Sequence, residues 1–166
     1  TPDLLTDLSV LAADSMAGRA VGTDGGRMAR EYIDARLTAM GLGVTHDTFE
    51  VTRGGTVLTG VNVRTEFTGS THPDAAIVLT AHYDHLGVRD GTVFNGTDDN
   101  ASGVAGLLAL AEWLTEHPPL HTVHVVFTDA EEGGLRGARA FVDNPPIALE
   151  SMVLNVNLDM IAHADT

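Results

Sequence analysis

Cysteine is absent from this 166-residue sequence. Disulfides and thiolate metal sites are excluded, so any metal must be held by histidine nitrogen and carboxylate oxygen. Basic residues are scarce: 9 stand against 23 acidic ones, a formal charge of −14. Such a balance repels nucleic-acid phosphates and anionic lipid, and no nucleic-acid partner is expected. Long hydrophobic runs are missing as well. The most apolar stretch, Gly103 to Ala111, falls far short of the roughly 20 residues needed to span a bilayer. The chain opens on Thr1 with neither an initiator methionine nor a basic-then-apolar leader, which points to processing or trimming at its start.

What is present suits one compact core. With 43% hydrophobic residues, a chain of this length buries roughly two thirds of its unfolded surface. Leu4, Leu5, Leu8, Leu11 and Ala12 keep helical spacing, with Pro2 and Asp3 at the start. Met28, Tyr32, Ile33, Leu37 and Met40 mark one face of a second helix from about Asp24 to Met40, stopped by Gly41 and Gly43. Val44 to Val51 and Val57 to Phe67, with Gly54-Gly55 between them, predict an antiparallel hairpin. A strand ending near Ala81, a long loop to about Ala101 and a core helix carrying Val104, Leu107, Leu108, Ala111 and Leu114 follow. A strand to Phe127, a helix from about Gly134 to Val142 and a strand to Leu158 complete a β-α-β-α-β series, hence an α/β fold. No internal repeat, low-complexity tract or linker divides it.

Metal-type side chains recur where the strands end. His82, Glu131, Glu132 and Asp159 each follow an apolar run, and Asp99 lies in the Gly-rich segment Asn95 to Gly103. In open α/β sheets, functional groups gather beyond the carboxyl ends of the strands, where the chain leaves the sheet. Taken singly, each has an ordinary structural explanation: a hydrogen-bonded strand-end histidine, an Asn/Asp turn, acids at a helix start. Their joint occurrence at successive strand ends does not. A zinc-bound imidazole usually donates its other N–H to a carboxylate, a role open to Asp84. Asp99 has two oxygens and could bridge two cations. Of the neighbouring pair Glu131-Glu132, one could bind metal while the other moves a proton.

These segments resemble, in order, the motifs of the M28 co-catalytic zinc aminopeptidases. They are Leu11 to Arg19, Ala81-His-Tyr-Asp-His-Leu-Gly87, Asn95-Gly-Thr-Asp-Asp-Asn-Ala-Ser-Gly103, Asp129-Ala-Glu-Glu-Gly133 and Asn157-Leu-Asp-Met160. The resemblance covers nearly the whole chain. It implies a three-layer α/β/α domain over residues 1–166 with a mixed, mostly parallel central sheet, and one or two Zn2+ ions. It implies His82 and Asp159 on one zinc, Glu132 on the other, Asp99 between them, Asp84 orienting His82 and Glu131 as general base. The implied reaction is release of N-terminal amino acids from a peptide or amino-acyl substrate by a metal-bridging water that Glu131 activates. An extracellular or periplasmic location goes with it.

Family members carry a further histidine well downstream of the Asn157–Met160 motif, whereas this sequence ends at Thr166. The domain is therefore expected to be incomplete at its C-terminus, with His163 as a candidate substitute ligand. His85 is a candidate for lining the mouth of the site. His46, His72, His117, His121 and His124 receive no role. Two other readings stay open: a one-zinc glutaminyl cyclase-like acyltransferase, against which the intact Asp98-Asp99 loop argues, and an inactive or truncated peptidase-like binding domain.

Overall fold

Residues 3–163 are described by the computed structural model; Pro2, expected at the start of the first helix, lies outside them. Helix α1 (Asp3–Leu11) leads through a 3-10 turn at Asp14–Arg19 into α2 (Asp24–Ala39). Thr23 caps α2 by accepting the Gly26 N–H at 3.3 Å, which satisfies one of the orphan donors of the first turn. Strands β1 (Thr45–Arg53) and β2 (Thr56–Phe67) form the expected hairpin. Its turn, Gly54-Gly55, has φ of +57° and +81°, a hand that matches the twist of the flanking strands and that glycine adopts at little cost.

Strand β3 (His72–His82) is followed by α3 (Gly103–Glu116), β6 (His121–Thr128), α4 (Arg136–Asp143) and β7 (Met152–Asn157). The segment between β3 and α3, expected as a long loop, contains a small hairpin of β4 (Gly87–Arg89) and β5 (Thr92–Phe94) and a π turn at Thr97–Ser102. Three-residue strands are too short to show a period of two, which is why the sequence pattern does not reveal them.

The large sheet has the order β1-β2-β6-β3-β7. Pairs β1/β2 and β2/β6 are antiparallel, and β6/β3 and β3/β7 are parallel. Four of the five strands therefore point the same way and β2 alone opposes them, the mixed, mostly parallel sheet expected. Side-chain alternation splits its two faces. Leu79, Ala81, Val123, Val125 and Phe127 join Leu11, Ile33, Leu37, Leu107 and Leu108 in the main core under α1, α2 and α3. Val78 and Val126 meet Phe141 of α4 on the opposite face. Each large aliphatic side chain buried in this way contributes about 1.5–3 kcal/mol.

Helix α1 is also held by charge. The buried Asp7 carboxylate accepts the Tyr32 hydroxyl at 2.6 Å and the Arg36 Nε at 2.8 Å. Asp7→Ala should cost about 2 kcal/mol because it removes three hydrogen bonds and leaves the partly buried Arg36 guanidinium only the more distant carboxylates of Asp3 and Glu112, whereas Tyr32→Phe should cost about 1 kcal/mol. Urea denaturation of both variants checks the ranking; equal losses would show that the guanidinium finds another acceptor.

Candidate functional site

Because β6, β3 and β7 are adjacent and parallel, their carboxyl ends meet at one edge of the sheet. His82 is the last residue of β3 and pairs with Thr128, the last of β6, while Thr80 pairs with Asn157, the last of β7. Glu131, Glu132 and Asp159 therefore lie only two to four residues beyond neighbouring strand ends. The turn before α3 brings in Asp99 from a fourth direction.

Three buried side chains fix these segments to one another. Asn100 donates to Leu158 O at 2.9 Å and His82 O at 3.4 Å, and accepts from Gly103 N at 3.1 Å and Met160 N at 3.2 Å. It thereby joins the ends of β3 and β7 to the start of α3. Asp84, also buried, accepts the backbone N–H groups of Glu131 at 2.9 Å and Glu132 at 3.3 Å. The Nδ1 of His82 lies 3.1 Å from the Asp84 carbonyl and 3.5 Å from its carboxylate. Asp84 thus contacts the backbone of both glutamates and the ring of His82, with the backbone carbonyl nearer to the imidazole than the carboxylate is. Arg19, 0% exposed, donates Nε to Tyr83 O at 2.9 Å, Nη1 to Leu11 O and to Asn95 O at 2.6 Å, and Nη2 to Gly96 O at 2.9 Å.

Two donor clusters share Asp99. In the first, His82 Nε2 is 3.2 Å from Asp99 Oδ1 and 3.5 Å from Asp159 Oδ1. In the second, His85 Nδ1 is 2.6 Å from Glu132 Oε1 and 4.0 Å from Asp99 Oδ2. The donor atoms within each cluster all lie within 4.8 Å of one another. Glu131 Oε2 sits 4.0 Å from His82 Nε2, beside the first cluster. His163 is exposed and belongs to neither cluster.

The electrostatics favour a cation. Burial alone would lower the pKa of His82, but the hydrogen bond and charge of Asp84, with Asp159 and Glu131, push it up to about 9. Glu131 is raised by burial and by Asp84, Glu132 and Asp159, against the lowering effect of His82. Asp129 is pushed up to about 6 by burial and by Asp84. Each shift has the sign expected of carboxylates crowded in a low-dielectric pocket, where a dication would relieve the repulsion. His82 Nε2 is buried without a hydrogen-bond partner, an arrangement rare in folded proteins unless an ion or water completes it, whereas His85 Nδ1 lies 2.6 Å from Glu132 Oε1. In a tetrahedral zinc shell with bonds of about 2.0–2.1 Å, neighbouring ligand atoms stand roughly 3.3–3.5 Å apart, which the first cluster matches.

The structure thus assembles His82, Asp84, Asp99, Glu131, Glu132 and Asp159 in one place. The sequence reading missed the central position of His85; its signal was the His82-Tyr-Asp-His85 spacing at a strand exit. It also gave no role to Arg19. A cleft of about 370 Å³ runs from His82, Glu131 and Asp159 along the α4 side of the sheet, walled by Leu135, Phe141, Val142, Met152 and Leu154.

An α/β sheet with carboxylates and imidazoles converging at its carboxyl edge has the donor set of a metal-dependent hydrolase. The model of peptidase family M28 matches residues 62–166. Leupeptin-inactivating enzyme 1 of Streptomyces exfoliatus is 32% identical over 160 residues, covering 95% of this chain and 34% of that protein. Aminopeptidase YwaD of Bacillus subtilis is 35% identical over 91 residues, covering 54% of this chain and 19% of that one. The glutaminyl cyclase of Porphyromonas gingivalis superposes with a TM-score of 0.83 at 25% identity, over 96% of this chain and 60% of that one. The chain belongs to peptidase family M28. It spans about a third of the length of the Streptomyces relative, and among its described residues no helix is long and apolar enough to cross a membrane.

Replacing the buried guanidinium tests how the site is held. Arg19→Met should cost at least about 3 kcal/mol, since four carbonyls lose a charged donor at once. Amide exchange should then accelerate at residues 95–102 more than in α2, and uniform acceleration would refute a specific hold on that loop.

Proposed function

We propose that this chain is the catalytic part of a zinc metallopeptidase that removes amino acids from the free N-terminus of peptides. The observation that carries the reading is His82 Nε2, buried, without a hydrogen-bond partner and ringed by oxygens of Asp99, Asp159 and Glu131. His82 and Asp159 would hold one metal, Glu132 would serve a second, and Asp99 would lie between them with one oxygen toward each histidine. Bound zinc supplies Lewis acidity toward the scissile carbonyl and makes water a better nucleophile at neutral pH.

The remaining work falls to the chain itself. Glu131, whose pKa burial and its acidic neighbours raise, is suited to take the proton of the attacking water and return it to the departing amine. Asp84 holds the Glu131 backbone N–H at 2.9 Å, which fixes where the glutamate side chain leaves the main chain. With Nδ1–H donated to the Asp84 carbonyl, His82 presents Nε2 as its basic nitrogen. The apolar cleft beside Glu131 and Asp159 offers room for a substrate side chain.

Peptide hydrolysis is supported by the family match and by relatives named as peptide-acting enzymes. The similarity to a glutaminyl cyclase favours a second reading, cyclisation of N-terminal glutamine with loss of ammonia. Amino-acid anilides with free and blocked amines, assayed beside a glutaminyl peptide, separate the two. Hydrolysis confined to free amines supports the aminopeptidase, and cyclisation without hydrolysis replaces it. Glu131→Gln should lower turnover roughly 10²–10⁴-fold while zinc content stays constant; full activity in that variant would remove Glu131 from the role.

Zinc affinity should also depend on pH. His82, raised to about 9, carries a proton at neutral pH in the metal-free chain, and zinc must displace it. Apparent affinity should therefore fall as pH drops below 9, by about tenfold per unit. Calorimetry in buffers of different ionisation enthalpy should detect the released proton, and its absence at pH 7 would mean that His82 binds no metal.

A further inference from the structure

We infer that Arg53 and Arg89 form a carboxylate-binding subsite on the leaving-group side of the site, which selects peptides that carry a carboxylate just beyond the scissile bond. This rests on the metallopeptidase reading above and adds a substrate class to it.

Positive charge is scarce in this chain, and much of it is already paired. All 9 basic residues are arginines. Arg27, Arg36 and Arg64 meet carboxylates, and Arg19 meets carbonyls. Arg53 and Arg89 form no ion pair among the described residues, although 23 acidic residues are present. Both are exposed, and both line one cleft of about 280 Å³ that Asp84, His85 and Glu132 also line. The acids of that cleft are engaged: Asp84 accepts two backbone N–H groups, and Glu132 faces His85 at 2.6 Å. The groups left free to meet a ligand are therefore the two guanidiniums, whose paired N–H groups match a carboxylate.

The backbone holds both arginines in the same way. Each is the last residue of a strand before a two-residue turn with positive φ at both positions, Gly54-Gly55 at +57° and +81° and Asp90-Gly91 at +50° and +77°. Such turns keep the two arms of a hairpin in tight register. The first hairpin is docked beside the site by Val51, which packs with Val21 and with Ala130, the neighbour of Glu131. The second sits on the turn that carries Arg19, where a Cβ on Gly87 would fall 2.8 Å from that of Ala20. The Arg89 guanidinium lies 5.7 Å from the centre of the Phe94 ring, an attraction that steadies it without using its N–H groups. The apolar cleft described above touches His82, Glu131 and Asp159 and shares no lining residue with this one. With the N-terminal side chain in the apolar cleft, the residue after the bond falls to the cleft of Arg53 and Arg89.

The test compares substrates that differ by one charge on the zinc-supplied 166-residue chain: leucylglutamate α-amide against leucylglutamine α-amide for an acidic side chain, and leucylglycine against leucylglycinamide for a terminal carboxylate. The charged member of at least one pair should have a kcat/KM about tenfold higher, expressed in KM. That ratio should shrink as salt is added and fall toward one in Arg53→Gln/Arg89→Gln. If the unaltered chain hydrolyses both members of each pair equally, the arginines only face solvent and this inference fails while the peptidase stands. If nothing is hydrolysed, the metallopeptidase reading fails. The subsite is then judged from the arginine Nε–H signals of the unaltered chain, titrated with uncleavable reduced-bond analogues of the glutamate and glutamine amides. Movement of the Arg53 and Arg89 signals with the glutamate analogue alone retains the subsite, and no movement rejects it.

Discussion

A buried guanidinium holds the parts of this site in register. Arg19 donates to four carbonyls from three separate segments: the end of α1, the exit from β3 and the loop before α3. Burial lowers its pKa to about 10, while Asp84 and Asp99 pull the other way. Removing such a charge from water is costly, and the cost is offset only by near-complete hydrogen bonding and nearby negative charge. Both are present. The turn that delivers Arg19 is itself constrained: Ala17, Gly18 and Arg19 all have positive φ. A Cβ on Gly18 would lie 2.5 Å from Gly87 O and 2.6 Å from Phe94 O. The chain accepts a left-handed turn there and gains a fixed donor beneath two metal-type side chains.

Around that anchor the chain collects negative charge that folding alone would avoid. Asp84, Asp99, Glu131, Glu132 and Asp159 meet two imidazoles, and the shifts of His82 and Glu131 record the resulting tension. Asp84 relieves part of it by accepting two backbone N–H groups and lying beside His82. His82 Nε2 is left without a hydrogen-bond partner in the site. Departures from full polar satisfaction concentrate at functional sites, where a ligand supplies the missing partner.

Fold similarity alone does not choose the reaction. A TM-score of 0.83 to a glutaminyl cyclase sits beside a family model and relatives that are peptidases. One scaffold can host both chemistries, so the decision rests on donor atoms and their geometry. The two donor clusters joined by Asp99 are the feature of this chain that bears on that choice.

Much of this was legible in the sequence because it is locally encoded. Helical spacing outlined α1, α2 and α3, the Gly54-Gly55 pair announced the hairpin, and short apolar runs marked β3, β6 and β7, each followed by a candidate ligand. Periodicity and strand-end position are properties of neighbours along the chain, and composition alone excluded thiolate metal sites. The tertiary structure decided what depends on distance in space. Strand order placed β2 against the direction of the others and brought the ends of β6, β3 and β7 together. That convergence, across gaps of roughly 30 to 50 residues, turns His85 from a loop residue toward Glu132 and leaves His163 outside the clusters, and Arg19 meets carbonyls 8 to 77 residues away. Such contacts arise from sheet register and core packing, which no local pattern of residues records.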